Sequence, residues 1–457
     1  MNKFFLILFV AGYFSACTSN SDSAKGDSTY KGFTNDAVVY CKTVKELNNI
    51  VLENNFPPMV ASRNYVYANI AAYECMVAGD TNWQTLAGQI KHMPAMPRLP
   101  QGTQIDYSLA SLLAFVTVGN AVTFPEGSMT VYYDKLKHQA DSLGIPEEMM
   151  KNTVLFADTI SKAILAWSKG DHYSETRGAT RYAVDETPGR WVPTPPTYST
   201  GIEPHWMEIR PMVLDSASQC KPQRPPVFDV KNKQSQYYKA LMEVKNISAT
   251  LTDEQRHIAD FWDDNPFKMN VTGHVMFATK KFSPPGHWMN IVGIASYEAG
   301  ADFNTTIAAY TKTSIALFDA FIACWDEKYR SNFIRPETVI NALIDPDWQP
   351  YIQTPPFPSY IGGHSTISAA AAEVMTQFYG ERSFTDTSLL EFGIANRQIK
   401  SFRDAALEAS MSRIYGGIHY RFDCDEGAKT GKQVGEMVVT RLRFKVKGTP
   451  IKLANSK

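Results

Sequence analysis

Apolar residues recur at mixed three- and four-residue spacing through most of this 457-residue chain. That period places them on one face of a helix, whereas a half-buried strand would need strict alternation. The pattern runs through Ala37–Glu53, Ala61–Met76, Ser108–Phe124, Ser128–Leu143 and Glu147–Lys169. It returns at Ser235–Leu251, Asp253–Asp263, Gly286–Arg330 (long enough for two helices), Ser365–Tyr379, Thr387–Arg413 and Asp423–Phe444. Strand signals are sparse, and no repeat of 20–50 residues is present. The sequence therefore predicts a mostly α protein, a large helical bundle.

One stretch breaks the pattern. Between Tyr182 and Asp229 fall nine of the 26 prolines, interleaved with Trp191, Tyr198, Trp206 and Phe228. Aromatic residues at that density pack, so the stretch is expected to wrap irregularly on the helical body. The expected organisation is a leader at 1–16, a flexible tether at 17–35 and an N-terminal helical region at 36–285 that contains the 182–229 excursion. A C-terminal core at 286–446 carries the chemistry.

Charge narrows the function. Lys and Arg total 45 against 46 Asp and Glu, a net charge of −1, so no basic excess exists to neutralise a nucleic-acid backbone. Met1–Cys17 has a positive start at Lys3, an apolar run from Phe4 to Val10, and small residues before Cys17. The run is too short to span a bilayer, which needs about 20 residues. Phe14-Ser15-Ala16-Cys17 resembles a bacterial lipobox. That resemblance implies lipidation at Cys17 and a place in the cell envelope, periplasmic or surface-facing, with membrane contact through the lipid alone. The other cysteines, at 41, 75, 220, 324 and 424, form no CxxC pair, so thiolate metal ligation is not expected and buried free thiols are.

Three segments carry charged or titratable groups in a pattern suited to an oxyanion. In Cys324–Pro336, Lys328 and Arg335 stand seven residues apart, which two helical turns would place on one face beside Trp325, with Pro336 expected to end the helix. By itself such spacing also fits a solvated face. In Pro355–Thr366, a Pro/Gly-rich loop runs into an Ala-rich helix with His364 at the junction. The free N–H groups of a helix start favour an anion, and Gly362 and Gly363 would let backbone amides approach it. A capped turn at Ser365 explains the same residues. In Ser412–Asp423, Arg413 offers a permanent bidentate charge, and His419 lies four residues before Asp423. If that stretch is helical, the carboxylate holds one imidazole nitrogen and leaves the other free as nucleophile or ligand.

Taken together, Lys328 with Arg335-Pro336, Pro358-Ser359 with Gly363-His364, and Ser412-Arg413 with Gly417, His419 and Asp423 resemble the signature of the type 2 phosphatidic acid phosphatase and vanadium-dependent haloperoxidase superfamily. The resemblance covers roughly Gly286 to Phe444 and implies the helical bundle of that superfamily. In its haloperoxidase branch, vanadate would be the cofactor and His419 its ligand. Lys328, Arg335, the Gly363 N–H and Arg413 would hold the oxyanion, His364 would handle peroxide protons, and Asp423 would orient His419. Trp325 and Phe357 fall where that branch carries aromatics near its halide site.

The soluble pattern of the mature chain, its length, Pro57–Tyr65 and Pro284-Pro-Gly-His-Trp288 resemble the bacterial haloperoxidases, so peroxide-dependent oxidation of iodide or bromide is the expected activity. The same residues would serve an acid phosphatase working through a phosphohistidine at His419, with phosphate in place of vanadate. A non-catalytic oxyanion-binding lipoprotein is the third alternative. It arises because Gly362 stands where the superfamily commonly has Ser, which removes one hydroxyl donor. Expected partners are therefore small anions and peroxide. Among the other histidines, at 92, 138, 172, 205, 257, 274 and 287, only His287 stands out, and its Pro and Trp neighbours favour a structural role.

Overall fold

The computed structural model describes residues 29–454 apart from 267, 273, 274, 449 and 452. The expected leader, Cys17, the tether up to residue 28, and His274 lie outside the described residues. Helix α1 covers residues 29–34. It is followed by α2 (Ala37–Glu53), α3 (Pro58–Gly79), α4 (Tyr107–Val122), α5 (Thr130–Ser142), α6 (Glu147–Ser168) and the short α7 (Tyr173–Gly178). Next come α8 (Gln236–Ala249), α9 (Asp253–Phe261), hairpin strands β1 (Lys268–Thr272) and β2 (Val275–Thr279), α10 (Pro284–Glu298) and α11 (Phe303–Ser331). The chain closes with α12 (Pro336–Leu343), α13 (Gly363–Tyr379), strands β3 (Phe384–Asp386) and β4 (Arg397–Ile399), α14 (Phe402–Tyr415) and α15 (Arg421–Arg441). Both strand pairs are antiparallel.

Side-chain caps set many of the helix starts. Asp36, Asp106, Ser235, Asp302 and Ser401 each accept an N–H from the first turn they precede, and Thr252 with Gln255 forms a reciprocal capping box. Two helices form the centre. Every residue of α3 from Met59 to Met76 is buried, as is every residue of α11 from Thr305 to Cys324. A helix buried on all faces belongs in a core, with its few charged residues, such as Asp319, held by partners. Although α11 is long and apolar enough to cross a membrane, its apolar stretch is wholly buried inside the protein. The buried core is continuous from Tyr30 to Phe444, and α10 spans the expected boundary between 285 and 286.

The proline-rich excursion is tied down by backbone bonds. The buried Asp319 carboxylate of α11 accepts the N–H groups of Met212, Val213 and Leu214 at 2.7, 2.7 and 3.0 Å. Trp191 N donates to Asn332 O at 2.9 Å, Ile334 N donates to Gly189 O at 3.0 Å, and Ile202 N donates to Pro356 O at 3.1 Å. Trp191 and Trp206 are fully buried. These bonds satisfy backbone that belongs to no helix or sheet.

Helices α13 and α15 approach backbone to backbone. Gly427, Gly431 and Gly435 lie four apart on one face of α15. A Cβ at these positions would come 2.8, 1.9 and 2.8 Å from the carbonyl oxygens of Gly362, Thr366 and Ala370. Only glycine permits that approach.

Four expectations need correction. The tether does not run to residue 35: α1 begins by Thr29, because Tyr30 and Thr34 find fully buried sites. Lys328 and Arg335 do not share a helix. Instead α11 stops at Ser331, and Asn332 turns left-handed at φ 46°. Pro336 starts α12 rather than ending a helix, since a first-turn proline needs no N–H and has its φ already set. Finally, Thr387–Arg413 is α-helical only from Phe402, with a single 3-10 turn at Leu390–Phe392 before it. Phe384 and Ile399, both buried, pair across β3 and β4 instead. All five described cysteines are free thiols.

Candidate active site

The three sequence segments meet at one buried place. Lys328, on the last turn of α11, is fully buried and donates from Nζ to the carbonyls of Pro358 and Ser359 at 2.8 and 2.9 Å. Burial depresses its pKa. Arg335, also fully buried, caps α12 and donates from Nε to Phe357 O at 3.0 Å and from Nη1 to Ile418 O at 2.7 Å. Its Nη2 is buried and has no partner. Arg413, at the end of α14, donates to Ser412 Oγ at 2.9 Å and to the Trp262 and Asp263 carbonyls. Three cations are thus held mainly by neutral carbonyls, which leaves their charge available to an anion.

His419 is fixed from both sides. Its Nδ1 lies 2.9 Å from Asp423 Oδ2, and its Nε2 lies 3.1 Å from Arg335 Nη1. A guanidinium can only donate, so Nε2 keeps its lone pair and Nδ1 carries the hydrogen. Burial, then Arg335, Lys328, Arg413 and His364, hold the ring's pKa well below the usual value, which keeps it neutral. The same Asp423 oxygen accepts from Ser359 Oγ at 2.6 Å and from Tyr420 N at 3.1 Å. Burial raises the Asp423 pKa, against the pull of Ser359, Lys328 and Arg335.

His364 stands in the first turn of α13, after Gly362 and Gly363. Its Nε2 is buried and unpartnered, and the nearest carboxylate, Asp264 Oδ2, is 3.8 Å away. Burial, followed by Arg413, His287 and Lys328, lowers its pKa. A Cβ at Gly362 would meet Ser365 Oγ at 3.0 Å. Ser365 Oγ is bonded to Ser410 Oγ, and Thr366 Oγ1 donates to Gly362 O, so both nearby hydroxyls are engaged within the protein.

A cavity of about 520 Å³ opens onto Gly363, His364, Arg413 and His419. Its walls include Thr194 and Ile202 from the excursion, Asp264, Met269 and Phe357. Phe357 has Lys328 Nζ 5.0 Å and Arg335 Cζ 5.1 Å from its ring centre. Trp325 is buried behind Phe357, with ring centres 5.1 Å apart, and is not part of the cavity wall.

Every residue expected at the site is therefore found around it, with Trp325 in the second layer. Sequence reasoning missed Asp264 and gave Ser359 no role. It also placed His287 outside the site, although that ring touches Asp264. The only available signal was Asp263-Asp264-Asn265-Pro266, an acidic pair before a turn, which is too common to identify a site.

The residues present suit an oxyanion such as vanadate. Arg335 Nη2 lacks an acceptor, three buried cations surround the place, and a neutral imidazole presents a lone pair beside them.

Comparison with known proteins agrees with this chemistry. A family model described as the VCPO second helical-bundle domain matches residues 308–448. The crystal structure of the first bacterial vanadium-dependent iodoperoxidase is similar at 40% identity and a TM-score of 0.84, covering 89% of this chain and 97% of that one. A holo-type bacterial vanadium-dependent chloroperoxidase shares the fold at 16% identity and a TM-score of 0.62, covering 85% and 93%. Its apo-type counterpart gives 16%, 0.63, 84% and 94%. No curated protein sequence matches.

Proposed function

The chain belongs to the vanadium-dependent haloperoxidases, and we propose that it oxidises iodide or bromide with hydrogen peroxide at a vanadate held by His419. The observation that carries this is the His419 tautomer. Asp423 accepts a hydrogen bond from the Nδ1–H, which leaves the Nε2 lone pair among Lys328, Arg335 and Arg413. These three cations and the Gly363 N–H would hold the oxyanion's oxygens, as the first turn of a helix can. When bound, vanadate supplies the Lewis acidity that activates hydrogen peroxide toward a halide.

The protein's own residues do the rest. The unpartnered Nε2 of His364 accepts a proton from incoming peroxide, and its depressed pKa keeps it free to do so. Phe357, with the cations beneath its ring, lines the route by which halide reaches the site, and Trp325 fixes that ring from behind. Halide loses two electrons and gains one peroxide oxygen and a proton to leave as hypohalous acid, while the other peroxide oxygen leaves as water. The iodoperoxidase likeness at 40% identity favours iodide. Export and lipid anchoring at Cys17 complete the proposal, and loss of radiolabelled palmitate incorporation in Cys17→Ser would test it.

The decisive assay is peroxide-dependent iodide and bromide oxidation by the purified protein, with and without orthovanadate, alongside hydrolysis of a phosphate monoester. Vanadate-dependent oxidation that disappears in His419→Ala is the expected result. Hydrolysis inhibited by vanadate, without halide oxidation, would assign the site to phosphate transfer. Vanadate binding with neither activity would make the protein a binder.

A further inference from the structure

Beside His364 lies a buried chain of charges that the proposed chemistry does not use. His287, in the first turn of α10, is fully buried, and both its ring nitrogens face carboxylates. Nδ1 lies 3.0 and 3.1 Å from the two oxygens of Asp264, and Nε2 lies 2.9 Å from Asp386 Oδ2. Two carboxylates can be served at once only by a ring with hydrogens on both nitrogens, so His287 is an imidazolium. Its ring stacks on Trp262, with centres 4.6 Å apart and planes at 25°. Asp386 is anchored in turn by the Ser388 N–H at 2.9 Å. Every member of the chain is thus fixed by a partner on another element.

The far end of this chain points at the active site. Asp264 Oδ2, shared with His287, is the oxygen 3.8 Å from the unpartnered Nε2 of His364. Asp264 itself sits on a left-handed backbone at φ 42° and is only 2% exposed, so it is held in place rather than free to swing. Three cations act on His364 and lower its pKa, namely Arg413, His287 itself and Lys328. A proton arriving on Nε2 would therefore meet repulsion from all of them. Among the described residues, Asp264 is the one carboxylate paired with His364 within 4 Å.

We infer that His287, clamped between Asp386 and Asp264, is a positioning residue that holds the Asp264 carboxylate against His364 Nε2, so that this nitrogen can carry a proton during turnover. This inference rests on the proposed role of His364. The reaction is unchanged: the proton leaves peroxide for His364 Nε2, and Asp264 lies beside the imidazolium so formed. His287 keeps its own two protons throughout. Its bridge leaves Asp264 one oxygen turned to the site, as outer carboxylates orient histidines elsewhere.

The test uses the full chain in three variants, His287→Gln, Asp386→Asn and His364→Ala. The Gln side chain retains a donor for one carboxylate but cannot bridge both. In the vanadate-free protein with ¹⁵N-labelled histidine, the His364 signal is identified by its loss in His364→Ala. That signal is expected to move in both His287→Gln and Asp386→Asn. In the enzyme given vanadate, kcat is expected to fall about tenfold, with halide KM and vanadate Kd within about twofold. Asp386→Asn, the milder change, keeps the inference open to refutation if His287→Gln fails to fold. An unmoved His364 signal would overturn it, as would a loss of kcat matched by an equal loss of vanadate affinity. If wild-type protein oxidises no halide, the proposed function fails while the ¹⁵N result still decides whether His287 governs His364.

Discussion

His419 Nδ1 lies 2.9 Å from Asp423 Oδ2, although His419 stands outside the helix that carries Asp423. The carboxylate reaches back over the N-terminus of α15, where it also accepts the Tyr420 N–H, so one group both caps the helix and sets the histidine's tautomer. Replacing Asp423 by Asn tests both tasks together, because one oxygen, Oδ2, serves His419 Nδ1 and the Tyr420 N–H. An amide oxygen in that place is a weaker, uncharged acceptor, and an NH₂ in that place would push the ring hydrogen to Nε2, against Arg335. Vanadate affinity is expected to fall about 10- to 100-fold with the fold retained, measured by titration calorimetry. An unchanged Kd would refute the tautomer argument.

Gly362 leaves the oxyanion one hydroxyl short. Its backbone at φ −62° and ψ 118° accepts any side chain, and a new Cβ needs Ser365 Oγ to move by only a few tenths of an ångström. Gly362→Ser should tighten vanadate binding about tenfold, since a charge-assisted hydrogen bond contributes about 1.5–3 kcal/mol. Gly362→Ala should not. If the two variants bind alike, the missing hydroxyl is irrelevant to affinity.

The α13–α15 contact predicts a stability defect with a control. Gly431→Ala would place its Cβ 1.9 Å from the Thr366 carbonyl oxygen, which forces the two helices apart. The cost is expected at about 2 kcal/mol or more, read as a lower unfolding midpoint in denaturant. Gly178→Ala, with nothing within 4 Å, should leave the midpoint in place.

His287 makes stability depend on alkaline pH. Burial alone would lower its pKa, but Asp264 and Asp386 outweigh it and raise the value from 6.5 to about 10. A raised folded-state pKa contributes stability that is complete below pH 6.5 and is lost as pH climbs through about 10. The wild-type Tm should therefore fall more steeply between pH 7 and 10 than that of His287→Gln, which does not titrate. Parallel Tm curves would show that the bridge carries no linked proton.

The helices were legible because each buries its own face, and burial leaves a period in the local sequence. Ala37–Glu53 is predicted with the bounds observed. The failures lie where a distant partner decides. Thr387–Arg413 reads as helix, yet Phe384 and Ile399 pair into strands because the core accepts both. Pro336 reads as a stop because the turn at Asn332 has no sequence period of its own.

The helical class was legible in the sequence by itself, and the resemblance of three ordered segments to the haloperoxidase superfamily pointed to Lys328, Arg335, Gly363, His364, Arg413, His419 and Asp423. Each segment is short enough to keep its residue types and spacing visible even where, as for Lys328 and Arg335, the expected shared helix does not form. Only the tertiary structure decided that Asp264 stands beside His364, and that His287 bridges to carboxylates 23 and 99 residues away. Separations of that size carry no period, and close packing alone brings the charges together. Burial then makes each of them costly unless paired, so the fold as a whole fixes where the protons sit.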